Sequence, residues 1–339
     1  MTTTIDAPLT HTETRSWYQV FMSRHASLVP TFAAVAILML LLAGAEAFLR
    51  GDFITPGTMS ALLLDNGPLL VMAVGMTFVI VTGGIDLSVG SVMAFTGILL
   101  ATMLSNGVSA AVAIPVILIG GALIGLLIGV LVQYFDVQPF IASLAGLFLA
   151  RGLAFLVNLS SVRVENDAVL WLRTRWYVGD FYITPTGVIA LLVVALGAFV
   201  MQFTRFGRTI YAIGGNVQSA HLMGLNVART RLLVYVISGL CAGLAGLVLT
   251  AYSGAGYPRN GIGTELDVIA AVVIGGTLLT GGRGYVLGSM VGVFVYGTIK
   301  TIISFLGAEQ SWMQIIVGGL LLLFIVVQRV IVARADRRE

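Results

Sequence analysis

Apolar residues in this chain do not alternate with polar ones; they collect into long runs separated by short polar or glycine-rich stretches. A helix of about 20 residues covers the ~30 Å of a bilayer's hydrocarbon. On that measure the runs fall at Pro30–Phe48, Asn66–Thr82, Ser88–Leu104, Ala110–Val132, Gln138–Val157, Thr184–Met201, Leu232–Ala251, Leu266–Leu279, Tyr285–Phe305 and Trp312–Gln328. The pattern predicts an all-α membrane protein, a polytopic helical bundle of about ten transmembrane helices, some of them short or broken. Two breaks are glycine-rich: Gly83-Gly84-Ile85-Asp86-Leu87-Ser88, and Gly281-Gly282-Arg283-Gly284. Broken helices are tolerated at membrane depth where protein or a water-filled cavity satisfies the freed backbone, and transporter sites gather there.

Organisation follows from the same pattern. Residues 1–29 form a polar N-terminal segment, 30–328 the membrane domain with a soluble loop at 202–231, and 329–339 a basic tail. Ala43-Gly44-Ala45 resembles a leader cleavage site. The run before it is too long for a typical signal core and is preceded by about 29 mostly polar residues, so a retained first span is expected. Ten spans put both termini on one side, with Arg15, Arg24, Arg205, Arg208, Arg229, Arg231, Arg283 and the tail arginines; the other side receives Arg50, Arg163, Arg173, Arg175 and Arg259. The positive-inside rule then makes both termini cytoplasmic.

Composition narrows the function classes. Apolar residues make up 58% and charged residues 10% of the 339 positions, too few for the polar surface of a soluble fold, so the lipid bilayer is the first partner. The net charge of +3 forms no basic stripe, and nucleic acid is not expected. One cysteine, Cys241, excludes an internal disulfide. The three histidines are not spaced as metal ligands, and no nucleophile elbow or phosphate-binding loop occurs. No catalytic residues and no metal site are assigned, and any ATP must be bound by another chain.

Candidate chemistry lies at the breaks. Asp86 and Ser88 follow Gly83 and Gly84, where they either cap the next helix or face a translocation path. Gln138 and Phe140 open one span and Asp267 opens another, and these seven residues are the candidate pathway set. Asp86 and Asp267 each head an apolar run, a faint internal echo. Small residues four apart, at Gly121, Gly125, Gly129, Gly239, Gly243, Gly288 and Gly292, predict close helix packing. In the soluble loop, Asn216 is a good N-cap and Gly224 a good C′ residue, so Val217–Met223 reads as a two-turn helix. So short a helix must dock, either on its own membrane domain or on a partner.

Three segments in order, Gly83–Ser91, Tyr211–Gly224 and Glu265–Gly284, resemble the ribose/xylose/arabinose-type sugar permeases of ABC importers, and the likeness extends from about Asn66 to Gln328. Within that family the chain is most similar to the second permease of galactofuranose importers. The resemblance implies a non-catalytic subunit in the bacterial inner membrane. It implies a second homologous permease, with a heterodimer favoured, a cytoplasmic double-domain ATPase that uses ATP and Mg, and a periplasmic sugar-binding protein. It also implies an ATPase-coupling loop comprising Arg208, Gly214, Gly215, Asn216, Ser219, Ala220, His221, Met223 and Gly224. An ion-coupled secondary transporter of a small polar solute is the alternative; the few ionisable residues in the spans offer it little relay.

Overall fold

The computed structural model describes residues 29–49, 51, 53–307 and 309–336; most of the N-terminal segment and the last three residues lie outside it. Although the run Leu266–Leu279 is helical only as far as Ile274, all the apolar runs that the sequence predicts contain helices. They are α1 (Val29–Phe48), α3 (Gly67–Val81), α4 (Val89–Ser105), α5 (Ala110–Tyr134), α6 (Pro139–Val157), α8 (Pro185–Phe203), α11 (Val227–Ser253), α12 (Thr264–Ile274), α13 (Val286–Phe305) and α14 (Gln310–Asp336). Six of these, α1, α5, α6, α8, α11 and α13, are long and apolar enough to cross a membrane. A seventh span arises if α2 (Pro56–Asp65) and α3, bent by 51° at Asn66, are counted together. By length alone, then, about ten crossings are not established: α4 has 17 residues and α12 only 11. The backbone of α14 stays helical to Asp336, so the expected tail begins as helix.

One helix organises the bundle. All 15 residues of α3 are buried, and around it pack α8, α11, α12 and α13. In lipid, helices gain nothing from hiding apolar surface from one another, so close backbone approach must supply the packing. The glycine ladder does so. On α5, a methyl group at Gly121 or Gly125 would strike the Gly239 and Tyr235 carbonyls of α11, while Gly129 lies where a Cβ would stand 3.1 Å from Leu232 O.

The two ends of the bundle differ. At one end, a small layer follows α6: β1 (Val162–Arg163), α7 (Asp167–Trp171), and the hairpin β2 (Trp176–Val178) and β3 (Phe181–Ile183). The hairpin is antiparallel, with Trp176 opposite Ile183, and β1 pairs with β4 (Ala255–Gly256) just beyond α11. Tyr182 N–H donates to Ser60 Oγ at 2.9 Å, tying this layer to α2. At the other end lie α9 (Arg205–Gly215) and α10 (Val217–Leu222), which make up the soluble loop. The 15 residues of α3 put about 22 Å between the two ends.

Candidate functional site

At the first break, α3 ends because Gly83 takes φ +82°, a left-handed conformation disfavoured by side chains. The chain then turns so that Asp86 is fully buried at the start of α4. Its Oδ1 accepts from Ser88 N at 2.9 Å and from Ser88 Oγ at 2.6 Å, and its Oδ2 accepts from Ser238 Oγ of α11 at 2.6 Å. Both oxygens are therefore spent on holding the helix start and fastening it to the neighbouring helix. The carboxylate thus braces Ser88, the N-cap residue of α4, whose own side chain makes no cap bond, and it has a partner, Ser238, that the sequence does not single out.

The seven candidate pathway residues do not form one site. Gly83, Gly84 and Gln138 line a single cavity of about 380 Å³ together with Asp136, Arg231 and Tyr235. Asp86 and Ser88 are buried and partnered beside α11. Phe140 lies 53% exposed on the flank of α6. Asp267 is half-buried on a different side, within electrostatic reach of Tyr296 and Lys300 on α13.

A second feature was not legible in the sequence. After β4, residues 257–263 dip back into the bundle, so that a Cβ at Gly90 would press on Gly261 O and the Glu265 carboxylate. The N-terminal ends of two interrupted helices, α4 and α12, thus converge. This gives the faint echo between Asp86 and Asp267 a spatial meaning, since Asp86 lies two residues before the N-cap of α4 and Asp267 in the first turn of α12, two helices that begin inside the bundle. Arg151 of α6 holds the dipping segment, donating from one guanidinium nitrogen to Pro258 O at 2.6 Å and Asn260 O at 2.7 Å. Carbonyls with no water to bond need such a donor. Arg151 lies near the end of its apolar run, where a snorkelling arginine is the ordinary expectation, and nothing local in the sequence points to a loop over 100 residues away.

The soluble loop folds as its caps predict. Asn216 Oδ1 accepts from Ser219 N at 2.8 Å, Gly224 takes φ +73°, and α10 closes with Met223 as its cap. Its two faces differ sharply in burial. Ala220 is fully buried against Ile213 and Val227, while Leu222 is 90% and Met223 64% exposed. Ser219, His221 and Gly224 share that exposed face, and Gly215 and Asn216 are exposed beside it. Ala220 therefore anchors the helix to its own chain. Leu222 was missed because six helical residues carry no readable period. Arg208 is exposed on α9.

The end of α9 docks on both breaks at once. Gly282 N–H donates to Val81 O at 2.9 Å, joining the turn before α13 to the last residue of α3. Gly214 lies directly on this junction: a Cβ there would meet Val81 O and the Gly282 backbone, with Gly282 Cα 2.9 Å away. Tyr211 hydroxyl donates to Gly284 O at 2.6 Å. Burial, with a smaller contribution from Tyr285, pushes the Tyr211 hydroxyl up to about 12, so it remains a protonated donor. Gly215, one residue on, has open space around it.

Residues 58–326 match the family described as the branched-chain amino acid transport system / permease component. The chain is 41% identical over 314 residues to the fructose import permease protein FruG of Bifidobacterium longum, covering 90% of this chain and 92% of that one. It is 44% identical over 282 residues to the inner membrane ABC transporter permease protein YjfF of Escherichia coli, covering 82% and 85%. It is 38% identical over 297 residues to the ribose import permease protein RbsC of the same species, covering 86% and 91%. No solved structure matches. With its glycine-packed bundle, interrupted helices and docked loop, the chain belongs to the permease subunits of ABC importers, in the ribose- and arabinose-type sugar family.

Proposed function

We propose that this chain is the non-catalytic membrane subunit of a bacterial inner-membrane importer for a monosaccharide, energised by ATP hydrolysis in a separate cytoplasmic ATPase. The carrying observation is the junction at Val81, Gly214 and Gly282, where the soluble loop touches both interrupted segments of the bundle. Rigid elements joined in this way pass a displacement of the loop into the helices that begin inside the membrane. The reading assigns ten membrane-inserted helices, counting the short α4 and α12, and both termini cytoplasmic. The arginines of the α9–α10 end support that orientation.

In this reading a loaded periplasmic binding protein docks on the hairpin end and releases sugar between two permeases. The ATPase, with its own ATP and Mg, closes on the exposed face of α10 and drives the junction. Likeness to galactofuranose-type permeases supports a heterodimer with a second homologous permease and a galactofuranose-like or other pentose or hexose cargo. The names of the fructose, ribose and arabinose relatives support the same class. Gly83, Gly84 and Gln138 contribute the pathway wall in the 380 Å³ cavity. Asp86 and Ser88 hold that wall in place, and Asp267 and Phe140 approach cargo from other faces. Reconstitution tests the proposal: ATP hydrolysis stimulated by the loaded binding protein should require this chain, and stimulation that persists when the chain is left out contradicts it.

A further inference from the structure

The end of the bundle opposite the soluble loop contains a cavity of about 400 Å³ edged by charged and polar side chains, in the ~300–1,000 Å³ range of small-molecule sites. The bend between α2 and α3 forms one wall with Asp65 and Asn66, and the last two turns of α13 form the other with Lys300, Thr301 and Ser304. Lys300 is the chain's single lysine. The one ion pair among the described residues joins Arg163 to Glu165, so no carboxylate lies within 4.0 Å of the Lys300 ammonium. Lys300 stands within electrostatic reach of Asp267 without closing an ion pair, and an ionisable group at the edge of a membrane span is by default a functional candidate.

The remaining groups are held ready rather than consumed. Tyr252 hydroxyl donates to Asp65 Oδ1 at 2.8 Å, a bond that does not use Oδ2. Asn66, 4% exposed, donates one amide N–H to Leu62 O at 2.8 Å and lines the cavity. Gly297 permits this, since a Cβ there would overlap the Asn66 side chain. Thr301 and Ser304 donate back to their own helix, at 2.9 and 3.0 Å, and keep acceptor lone pairs. Phe305 closes the rim, edge-on to Phe53 with ring centroids 5.6 Å apart. Below Lys300, Tyr296 and Asp267 continue the polar column into the bundle.

We infer that this cavity is the first sugar-receiving subsite of the permease, taking an uncharged monosaccharide through Asp65, Asn66 and Lys300. A carboxylate, an amide and an ammonium together supply acceptors and donors with no net charge, which suits vicinal hydroxyls and disfavours an anion. The inference rests on the importer reading above and adds the place where cargo enters.

The test uses the whole assembly in proteoliposomes with Asp65→Asn, Lys300→Met and Lys300→Arg. The probe is whichever of D-ribose, L-arabinose, D-fructose or D-galactofuranose the wild type imports, and its monodeoxy analogues. Asp65→Asn and Lys300→Met should lower uptake of the full sugar about tenfold, the scale of one charged hydrogen bond. Uptake of the analogue lacking the contacted hydroxyl should change little, and Lys300→Arg should recover most of the loss. Equal proportional losses on every sugar, or none, would overturn the subsite. A folded wild-type assembly that imports no sugar would instead sink the importer reading and this subsite with it.

Discussion

Gly214→Ala is the sharpest perturbation the structure offers. The added methyl meets the Val81 carbonyl and the Gly282 backbone, and no flexible side chain is present to move aside. Overpacking of this kind costs about 1–3 kcal/mol, and losing the Gly282 to Val81 hydrogen bond adds about 1 kcal/mol. A penalty of about 2–4 kcal/mol shifts the docked junction by roughly 30- to 1,000-fold in population. The control is one residue away: at Gly215 a methyl enters open space, and Gly→Ala in a helix is neutral or mildly stabilising. Both variants would be assembled with the ATPase and assayed for ATP hydrolysis and sugar uptake in the same vesicles. The expected outcome for Gly214→Ala is hydrolysis retained with uptake reduced by at least tenfold, while Gly215→Ala matches wild type. Indistinguishable behaviour of the two glycines would refute transmission through this junction.

Other outcomes follow from single contacts. Gly125→Ala should cost about 1–3 kcal/mol in thermal stability, because its methyl strikes the Tyr235 carbonyl; an unchanged melting midpoint would show that α5 and α11 can separate freely. Asp86→Ala and Ser238→Ala should be non-additive by at least about 0.5 kcal/mol in a stability cycle, because they remove the same 2.6 Å bond; simple additivity would deny the fastening role. Leu222→Asp should abolish ATPase assembly without moving the melting midpoint, whereas Ala220→Trp should destabilise the loop itself; the reverse pattern would exchange their faces. Tyr211→Phe should weaken coupling at all pH values between about 6 and 9, because a hydroxyl raised to about 12 stays protonated throughout; a pH-dependent defect would contradict this.

Much of the scaffold could be read from hydropathy, because a membrane span must be both continuous and helical. Pro139–Val157 begins one residue from its expected start. The second run, expected from Asn66 to Thr82, is helical from Gly67 to Val81; the sequence did not announce the further helix Pro56–Asp65, which meets it at a 51° bend. The expected run Leu266–Leu279 starts two residues early and stops at Ile274, because Gly276 adopts φ +99° before the turn. The caps of α10 were legible, since Asn216 and Gly224 act through local backbone geometry. The face of Ala220, the hold of Arg151 on residues 258 and 260, and the bond from Ser238 to Asp86 were not. The last two join segments more than 100 residues apart that only the packed bundle brings together, and the face of Ala220 depends on how the neighbouring helices fold back on so short a helix.

The importer reading stands or falls most directly on the energy source for uptake. Vesicles holding this chain, its partner permease, the ATPase and the binding protein would be loaded with ATP, or left without ATP under an imposed proton or sodium gradient, and sugar entry followed in both. Uptake that needs ATP, the binding protein and this chain together is the expected result; uptake by this chain alone under an ion gradient would contradict it and make the protein a secondary carrier.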